Sequence, residues 1–480
     1  MLKNHLKVAF RSLFRQKSFS LINILGLAVG LTCSLLILLW VQHQYSYNTF
    51  HSKSDSIFQM ACSMEFGGDM QTWQGIPYPY SPSLQQDYPE IEEVVVKTYN
   101  KEKFFRLDNN KTSEKGFYTN EPFFQVFDFP ILYGNPLELL NTPDEIVLSE
   151  KLAKKYFGNL WQSAVGNTIV VDEEALKISG IFANVPNNSS MQFDFVLPIT
   201  KHLEEYPSLP EQYGDFNYPM FVQLKKGTDK EALIEKFLIA TAEKLEGTGY
   251  GVPEGMILQP LTDVYLFNQF ENGKVAGGRI NYVRIFFLAA LFILFLAGIN
   301  YMNLATARAS KKAKEIGVRK TIGASRGSLI VQFFTEAMVM TGIAVSIAIV
   351  AIQLLLPWFN QLVGTSVSVH LNHPSFWILT ASVFMGLSLL AGIYPALLLS
   401  SFNVSKVIKG QLSNHLSTVT LRKGLVVFQF LISAVLIIGA ITMRQQLHYL
   451  QTKDTVSYTH LRAHETLRYL VCRLLLEKKK

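Results

Sequence analysis

The chain has 480 residues, of which 49% are hydrophobic and 17% are charged, with a net charge of +7. With a mean hydropathy of +0.19, it has room for a bundle of membrane helices and one sizeable soluble domain. Residues 43–281 hold 32 of the 37 acidic side chains but only 19 of the 44 basic ones. The basic excess therefore belongs to membrane flanks, and this distribution argues against a nucleic-acid-binding surface.

The first predicted element is an amphipathic helix over residues 1–18. Leu2, Leu6, Phe10 and Phe14 recur every four residues, and a basic stripe recurs in parallel one position later. An apolar stripe suits the lipid headgroup boundary, and basic side chains suit the anionic cytoplasmic leaflet. We expect this helix to lie on the cytoplasmic membrane surface, although the same charges would also serve as a plain positive-inside anchor.

Five uncharged or nearly uncharged segments follow that are long enough to cross a bilayer, since about 20 apolar residues cover the hydrocarbon core. The predicted crossings are residues 19–42, 282–305, 329–356, 376–400 and 424–444. The first is too long for a cleavable signal sequence. Within it, Gly26 and Gly30 are spaced for close packing against another helix, as small residues four apart often are.

The distribution of Lys and Arg in the short loops predicts the orientation. Basic residues precede the first crossing and fill residues 306–328 and 401–423, so these three stretches are predicted to face the cytoplasm. The outer loop 357–375 has no Lys or Arg and is predicted to lie on the opposite side, together with the 43–281 insertion. That insertion contains a single cysteine, Cys62, and so cannot form an internal disulfide.

The exported segment mixes strand and helix patterns. Four runs rich in β-branched and aromatic residues predict strands, and two amphipathic runs predict helices. The strands are Glu93–Tyr99, Thr168–Val171, Leu176–Phe182 and Met220–Leu224, and the helices are Ser149–Phe157 and Lys230–Leu245. These predictions describe an α+β domain inserted between the first and second crossings.

The sequence lacks several motifs that would indicate catalysis. It has no Gly-x-x-x-x-Gly-Lys-Ser/Thr, His-Glu-x-x-His or Cys-x-x-Cys, so nucleotide hydrolysis, zinc chemistry and thiol redox lack their usual residues. His370 and His373 have no third ligand nearby, so no metal is predicted. Ionisable residues within the crossings are scarce, which disfavours a secondary transporter.

The basic loop between the second and third crossings carries the functional prediction. Residues from about Ala305 to Gly317 are expected to continue the second crossing as a stiff helix into the cytoplasm, where Gly317 and Gly323 mark its end. Lys311, Lys314 and Arg319, together with Glu315, suit charge-assisted contacts with a cytoplasmic partner. The positive-inside rule explains the charges equally well, but it does not explain the glycine spacing.

Several motifs resemble the FtsX/MacB-type ABC transporter permeases. The residues that carry the resemblance are Asn303–Arg308, Lys314–Lys320, Gly323–Ala324 and Arg326, Ile22–Gly30 in the first crossing, and Phe123–Pro130, Ile146–Gly158 and Ser179–Pro186 in the exported domain. The resemblance covers Met1 to about Asp454. After the first crossing this chain has Tyr47-Asn48-Thr49-Phe50-His51, where the family often has Tyr-Asp-x-Phe-His.

This resemblance implies a membrane α-helical bundle with a large MacB-like periplasmic α+β domain, in the bacterial inner membrane, with a cytoplasmic amino terminus. It also implies a non-catalytic subunit that contacts a separate MacB/LolD-type ATPase, which binds ATP and Mg²⁺, so that no cofactor binds this chain directly. A second permease half or a homodimer, membrane lipids and a periplasmic adaptor are the other implied partners. The implied ATPase-coupling residues are Ala307, Arg308, Lys311, Lys314, Glu315, Ile316, Gly317, Val318, Arg319, Lys320, Gly323, Ala324 and Arg326.

The fifth crossing looks like the first helix of a second, homologous half. Residues 455–480 fit neither a crossing nor an exported domain and resemble a translated adapter, so we expect the native sequence to continue differently after residue 454. A membrane-anchored sensor or regulatory scaffold is an alternative function, and a membrane-embedded enzyme is the least favoured one. The sequence leaves the transported or sensed substrate open.

Overall fold

The computed structural model describes residues 2–15, 17–107, 110–307, 317–369, 371–400 and 416–452. The contacts divide the chain into two compact units. One contains Met1–Leu31, Leu291–Ala348 and Ile378–Lys480, and the other contains Thr32–Ala290 and Ile349–Trp377.

Five long apolar helices occur in the described part of the chain, and each is long enough to cross a membrane. We call them the first to fifth spanning helices: Lys17–Tyr45, Arg279–Ala307, Arg326–Val363, Pro374–Ser400 and Leu416–Thr452. They extend beyond the predicted crossings at most ends, because a helix continues through the headgroup region for as long as its backbone hydrogen bonds remain satisfied. The lipid boundaries along them stay predictions.

The first and second spanning helices pack closely where the first carries glycine. A Cβ atom added at Gly30 would lie 2.7 Å from the Cβ of Ala297, and one added at Gly26 would lie 3.4 Å from the Nδ2 of Asn300. Real Cβ atoms do not approach as closely as the first of these distances, so the backbones meet at Gly30 because it has no side chain.

The amino-terminal helix, Leu2–Arg15, has two different faces. Ala9 and Leu13 are buried, and Ser12 Oγ donates a 3.0 Å hydrogen bond to Glu336 Oε1 on the third spanning helix. Phe10 and Phe14, from the predicted apolar stripe, are instead exposed, Phe14 by 73%. The helix is therefore attached to the bundle through one face and leaves its apolar stripe available to lipid.

The inserted domain is built on two sheets. The first contains β1 (Ile57–Phe66), β2 (Asp69–Trp73), β3 (Ile91–Val96), β11 (Met220–Leu224) and β12 (Gly255–Pro260). Their order is β12-β1-β11-β3, with β2 also paired to β1, and all of these pairs are antiparallel. Two helices accompany this sheet, Tyr80–Asp87 and Lys230–Leu245. A two-stranded ribbon, β13 (Gln269–Glu271) and β14 (Lys274–Gly277), precedes the second spanning helix.

The second sheet contains seven strands in the order β6-β9-β7-β10-β5-β4-β8. They are β4 (Lys101–Leu107), β5 (Asn110–Thr119), β6 (Ile131–Tyr133), β7 (Glu145–Ser149), β8 (Thr168–Val171), β9 (Glu174–Phe182) and β10 (Phe195–Pro198). An additional β8–β9 pairing closes six of these strands into a ring, so the ring protects strand edges that would otherwise be open. Short helices accompany it at Phe123–Val126, Glu150–Phe157 and Ile199–Glu205, with 3₁₀ turns at Gly158–Ser163 and Leu209–Glu211.

The predicted elements of this domain are largely confirmed. Thr168–Val171, Met220–Leu224 and Lys230–Leu245 have the predicted bounds, and Ser149 is the N-cap of a helix that begins at Glu150. The predicted strand Glu93–Tyr99 was misplaced, because it lies at Ile91–Val96. It ends there since the chain then leaves the first sheet, and the Thr98 N–H bonds to Tyr118 O in the second sheet.

A cluster of phenylalanines belongs to one of the hydrophobic cores of the domain. Phe123, Phe127 and Phe129, from a segment that carried the family resemblance, pack with Phe117 and Phe193 at ring-centroid distances of 4.8–6.3 Å. All five are buried. The repeated phenylalanines of this motif therefore serve packing.

Candidate coupling site

The described part of the predicted coupling segment is a sharp turn that ends at the start of the third spanning helix. We call residues 317–325 the elbow. Residues 317–321 are helical, and Gly323 ends this short helix with a φ of +98°, a left-handed conformation that favours glycine. The Ala324 N–H bonds to Arg319 O at 3.0 Å and the Gly323 N–H bonds to Lys320 O at 3.1 Å. These two bonds form a Schellman motif, which satisfies the last carbonyls of the short helix.

The next helix begins almost at once. The Ser325 hydroxyl accepts a 3.3 Å hydrogen bond from the Ser328 N–H, so Ser325 is the N-cap of the third spanning helix. Arg319 Nη1 donates a 2.7 Å hydrogen bond to Gln332 Oε1 on that helix. The elbow is thus closed by a cap on each side and held by a side-chain bond across it, which restricts the angle between the two helices.

The elbow carries both charge and exposed apolar surface. Val318 is 56% exposed and Ile322 is 81% exposed, one helical turn apart. Burial, together with the neighbouring guanidinium of Arg326, lowers the pKa of Lys320. Two exposed aliphatic side chains beside a cationic group form a small surface suited to an apolar contact with a polar rim.

The structure places the predicted site residues as follows. Ala307 is the last residue of the second spanning helix, Arg326 is the first residue of the third, and Gly317, Val318, Arg319, Lys320, Gly323 and Ala324 form the elbow. Arg308, Lys311, Lys314, Glu315 and Ile316 lie outside the described residues, as does the predicted cytoplasmic helix that contains them. Gly26 and Gly30 lie on the face of the first spanning helix that meets the second.

A second set of contacts, which the sequence did not predict, joins the first spanning helix to the inserted domain. Asn48 is buried just after this helix and has a φ of +60°. Its Nδ2 donates to Ser190 Oγ at 2.9 Å and to Leu261 O at 2.8 Å, and its Oδ1 accepts from Ser190 N at 2.8 Å. One asparagine therefore connects the helix exit to the 186–190 loop and to the end of β12.

Two further contacts strengthen this connection. The Asn188 Nδ2 donates to Ser46 O at 2.8 Å, and the ring of Tyr47 stacks on that of Tyr265 at a centroid distance of 3.4 Å. The Arg279 guanidinium, at the start of the second spanning helix, lies 4.4 Å from the Tyr265 ring centroid. We call Tyr47, Asn48, Asn188, Tyr265 and Arg279 the junction. The sequence carried a signal here, because Tyr47–His51 stood out as a motif, but nothing in it identified the partners of Asn48.

No group of three or more His, Cys, Asp or Glu that could hold a metal ion occurs among the described residues. His373 Nδ1 lies 3.1 Å from Ser375 Oγ in an exposed position, and His370 lies outside the described residues.

Five long apolar helices and a large α+β insertion between the first two define a polytopic membrane protein with a domain outside the lipid. Residues 20–238 match the family model described as MacB-like periplasmic core domain, and residues 287–404 match the one described as FtsX-like permease C-terminal. The chain belongs to the ABC transporter permeases of the FtsX/MacB type.

Individual ABC transporter permeases are also similar to this chain in sequence. The chain is 22% identical over 375 residues to the uncharacterized ABC transporter permease YvrN of Bacillus subtilis, covering 72% of this chain and 85% of that protein. It is 22% identical over 241 residues to the macrolide export ATP-binding/permease protein MacB of Escherichia coli, covering 50% of this chain and 34% of that protein. It thus spans about a third of the MacB length.

Among solved structures, the periplasmic region of MacB from Actinobacillus actinomycetemcomitans covers 46% of this chain at 13% identity with a TM-score of 0.32. The match covers 92% of that chain.

Proposed function

We propose that this permease transmits the motion of a separate MacB/LolD-type ATPase to its exported domain. The ATPase would bind ATP and Mg²⁺ and dock on the elbow, and the exported domain would move on the far side of the membrane without substrate passing through a pore in this chain. Transmission needs a stiff contact at each end of the path, because a flexible one would dissipate the displacement.

The observation that carries the proposal is the doubly capped elbow with its exposed aliphatic pair. The Schellman motif at Gly323, the N-cap at Ser325 and the Arg319–Gln332 bond restrict its geometry, while Val318 and Ile322 remain available to a partner. The junction would provide the stiff contact at the other end of the proposed path, on the exported domain. One continuous helix, Lys17–Tyr45, leads directly to its residues Tyr47 and Asn48.

The assembly follows from the same proposal. The chain would lie in the bacterial inner membrane with its amino terminus and elbow in the cytoplasm and residues 43–281 in the periplasm. It would pair with a second copy or a homologous permease half, and a periplasmic adaptor would join in systems for efflux. Handling of lipoproteins, peptides or exported drugs fits this architecture equally.

Co-purification with a co-expressed MacB/LolD-type ATPase tests the proposal. We expect Ile322→Glu to reduce ATPase recovery at least tenfold, because a carboxylate would replace the most exposed aliphatic side chain of the elbow. Charge reversal at Lys311, Lys314 and Arg319 is expected to act in the same direction. Ile239→Glu is the matched control, since Ile239 is also exposed but lies in the inserted domain.

Retained ATPase binding in Ile322→Glu and in the charge-reversed variant would remove the coupling assignment. Equal losses in Ile322→Glu and in the Ile239→Glu control would also contradict it, because a general folding defect would then explain both results. Binding of a signalling protein to the elbow, with no ATPase recovered from any variant, would favour a sensor or regulatory scaffold.

A further inference from the structure

The inserted domain contains a cavity that is lined by no residue of the elbow or the junction. Its volume is about 360 Å³, within the roughly 300–1,000 Å³ of ligand-binding pockets. Three segments line it: Thr98–Lys101, which leads from β3 into the first residue of β4, His202 and Tyr206 at the helix that follows β10, and residues between Leu209 and Tyr218 before β11. All three connect or approach the two sheets, so the cavity lies at their meeting point.

The walls of the cavity are largely aromatic. Tyr99 is 51% exposed and Tyr206 is 52% exposed. Deeper in the cavity, Tyr218 and His202 are buried, and His202 Nε2 lies 3.2 Å from Tyr218 Oη. The cavity therefore offers exposed ring surface at two positions and a rigid aromatic layer behind it.

The polar side chains of the cavity offer both hydrogen-bond donors and acceptors. Three side-chain amides already donate their N–H groups within the protein: Asn100 to Gln192 O at 2.7 Å, Gln212 to Ser208 Oγ at 2.8 Å, and Asn217 to Asp215 Oδ1 at 2.6 Å. An amide that donates one N–H keeps its second N–H and its carbonyl oxygen, and Asp215 offers a carboxylate. A ligand that fits this cavity should therefore carry several groups that both donate and accept hydrogen bonds.

The charges of the cavity disfavour a charged ligand. Lys101 Nζ lies 5.4 Å from the Tyr206 ring centroid and 5.5 Å from that of Tyr118, so a cation already faces these rings and would repel another. Burial lowers the pKa of His202, with a further contribution from Lys101, so this imidazole is neutral near pH 7. The carboxylate of Asp215 offsets the attraction of Lys101 for an anion, so the cavity favours neither sign of ligand charge.

We propose that this cavity binds a neutral saccharide of one or two pyranose units. A pyranose has an apolar C–H face, which stacks on an aromatic ring, and several hydroxyls, which can bond to the side-chain amides and to the Asp215 carboxylate. The inference does not depend on ATPase coupling.

Binding of short oligosaccharides to the full chain tests this proposal. The chain is reconstituted in lipid nanodiscs, since maltoside or glucoside detergents would compete for the cavity. Chitotriose, cellotriose and maltotriose are titrated separately by calorimetry and by saturation-transfer NMR. We expect saturable binding of at least one, weakened tenfold or more by Tyr206→Ala and by Tyr99→Ala, because each removes a stacking surface.

Two variants keep the test specific. Tyr206→Phe retains the ring and should bind within threefold of the unchanged protein, and Tyr133→Ala removes an exposed tyrosine that does not line the cavity and should have no effect. Circular dichroism confirms that each variant is folded. The absence of saturable binding for all three sugars overturns the proposal. Binding that survives both alanine variants, or binding of choline in place of the sugars, overturns it as well.

Discussion

At the scale of single residues, Asn48 shows how one side chain can join three segments. It is buried, it adopts a left-handed conformation that asparagine tolerates better than most residues, and its amide group makes three hydrogen bonds. The family often has aspartate at this position, but an aspartate could not donate to Leu261 O. In this chain the asparagine therefore determines how the helix exit is held.

Replacing Asn48 is expected to destabilise the junction. Asn48→Ala should cost about 2–4 kcal/mol, because it leaves buried partners unsatisfied and adds backbone strain. Asn48→Gly should cost less, since glycine accepts the positive φ and loses only the hydrogen bonds. Thermal unfolding of the full chain measures both. Equal stability of Asn48→Ala and the unchanged protein would show that these bonds contribute nothing.

His51 gives the inserted domain a pH-dependent stability. Its Nδ1 accepts a 3.0 Å hydrogen bond from the Asp128 N–H, and its ring lies among Phe50, Phe127 and Phe129. Burial lowers the pKa of His51 from 6.5 to about 4, although the Asp128 carboxylate opposes this shift. The native state therefore favours the neutral ring.

Because the folded pKa is lower than the unfolded one, this contribution is complete above pH 6.5 and is lost as the pH falls toward 4. The loss should be on the order of 3 kcal/mol for His51 alone. Unfolding experiments between pH 4.5 and 7.5 should show a flatter dependence in His51→Asn, which keeps an acceptor near the Nδ1 position. His202, whose pKa is also lowered, should preserve part of the slope. Identical slopes would contradict the assignment.

At the scale of elements, the first and second spanning helices depend on a glycine contact. In Gly30→Ala the new Cβ would lie 2.7 Å from the Ala297 Cβ, so the helices would have to separate. We expect a loss of about 1–3 kcal/mol, as for other overpacked sites. Gly439→Ala is the control, because nothing lies within 4 Å of a Cβ at that helical position.

Thermal unfolding in detergent measures the stability of the Gly30→Ala and Gly439→Ala proteins. Gly439→Ala is expected to be neutral or slightly stabilising, since alanine favours helix more than glycine does. A Gly30→Ala protein as stable as the Gly439→Ala control would mean that the first two helices adjust freely, and the close approach would then have no energetic role.

At the scale of the whole molecule, the orientation across the membrane is open to a direct test. Lys226 is exposed in the inserted domain and Ile322 is exposed in the elbow. In a background with Cys33 and Cys472 replaced by serine, Lys226→Cys should react with a membrane-impermeant maleimide in spheroplasts, whereas Ile322→Cys should react only after lysis.

The remaining cysteine does not disturb this experiment. Cys62 is buried, and burial raises the pKa of its thiol to about 12, so little reactive thiolate is present. Labelling of Ile322→Cys in intact spheroplasts would place the elbow on the outside and would remove the proposed ATPase contact.

The elements that the sequence predicted in the inserted domain were largely confirmed because each run satisfied its own local rule, but most strands of the two sheets were not predicted. Lys230–Leu245 has the helical period and an Asp229 N-cap, and Thr168–Val171 is β-branched throughout. The strand at Ile91–Val96 was misplaced because its end depends on where the chain crosses between sheets. The β8–β9 pairing, which closes six strands of the second sheet into a ring, also depends on contacts that local sequence patterns do not encode.

Taken alone, the sequence determined the membrane class, the five apolar helices of the described residues, the basic loop and the family, because hydrophobic length, charge and local motifs are properties of short segments. Tertiary structure alone decided the partners of Asn48, the aromatic cavity around His202 and which helix packs against Gly30. Each of these depends on atoms from segments far apart in the chain, and close packing selects which of them meet.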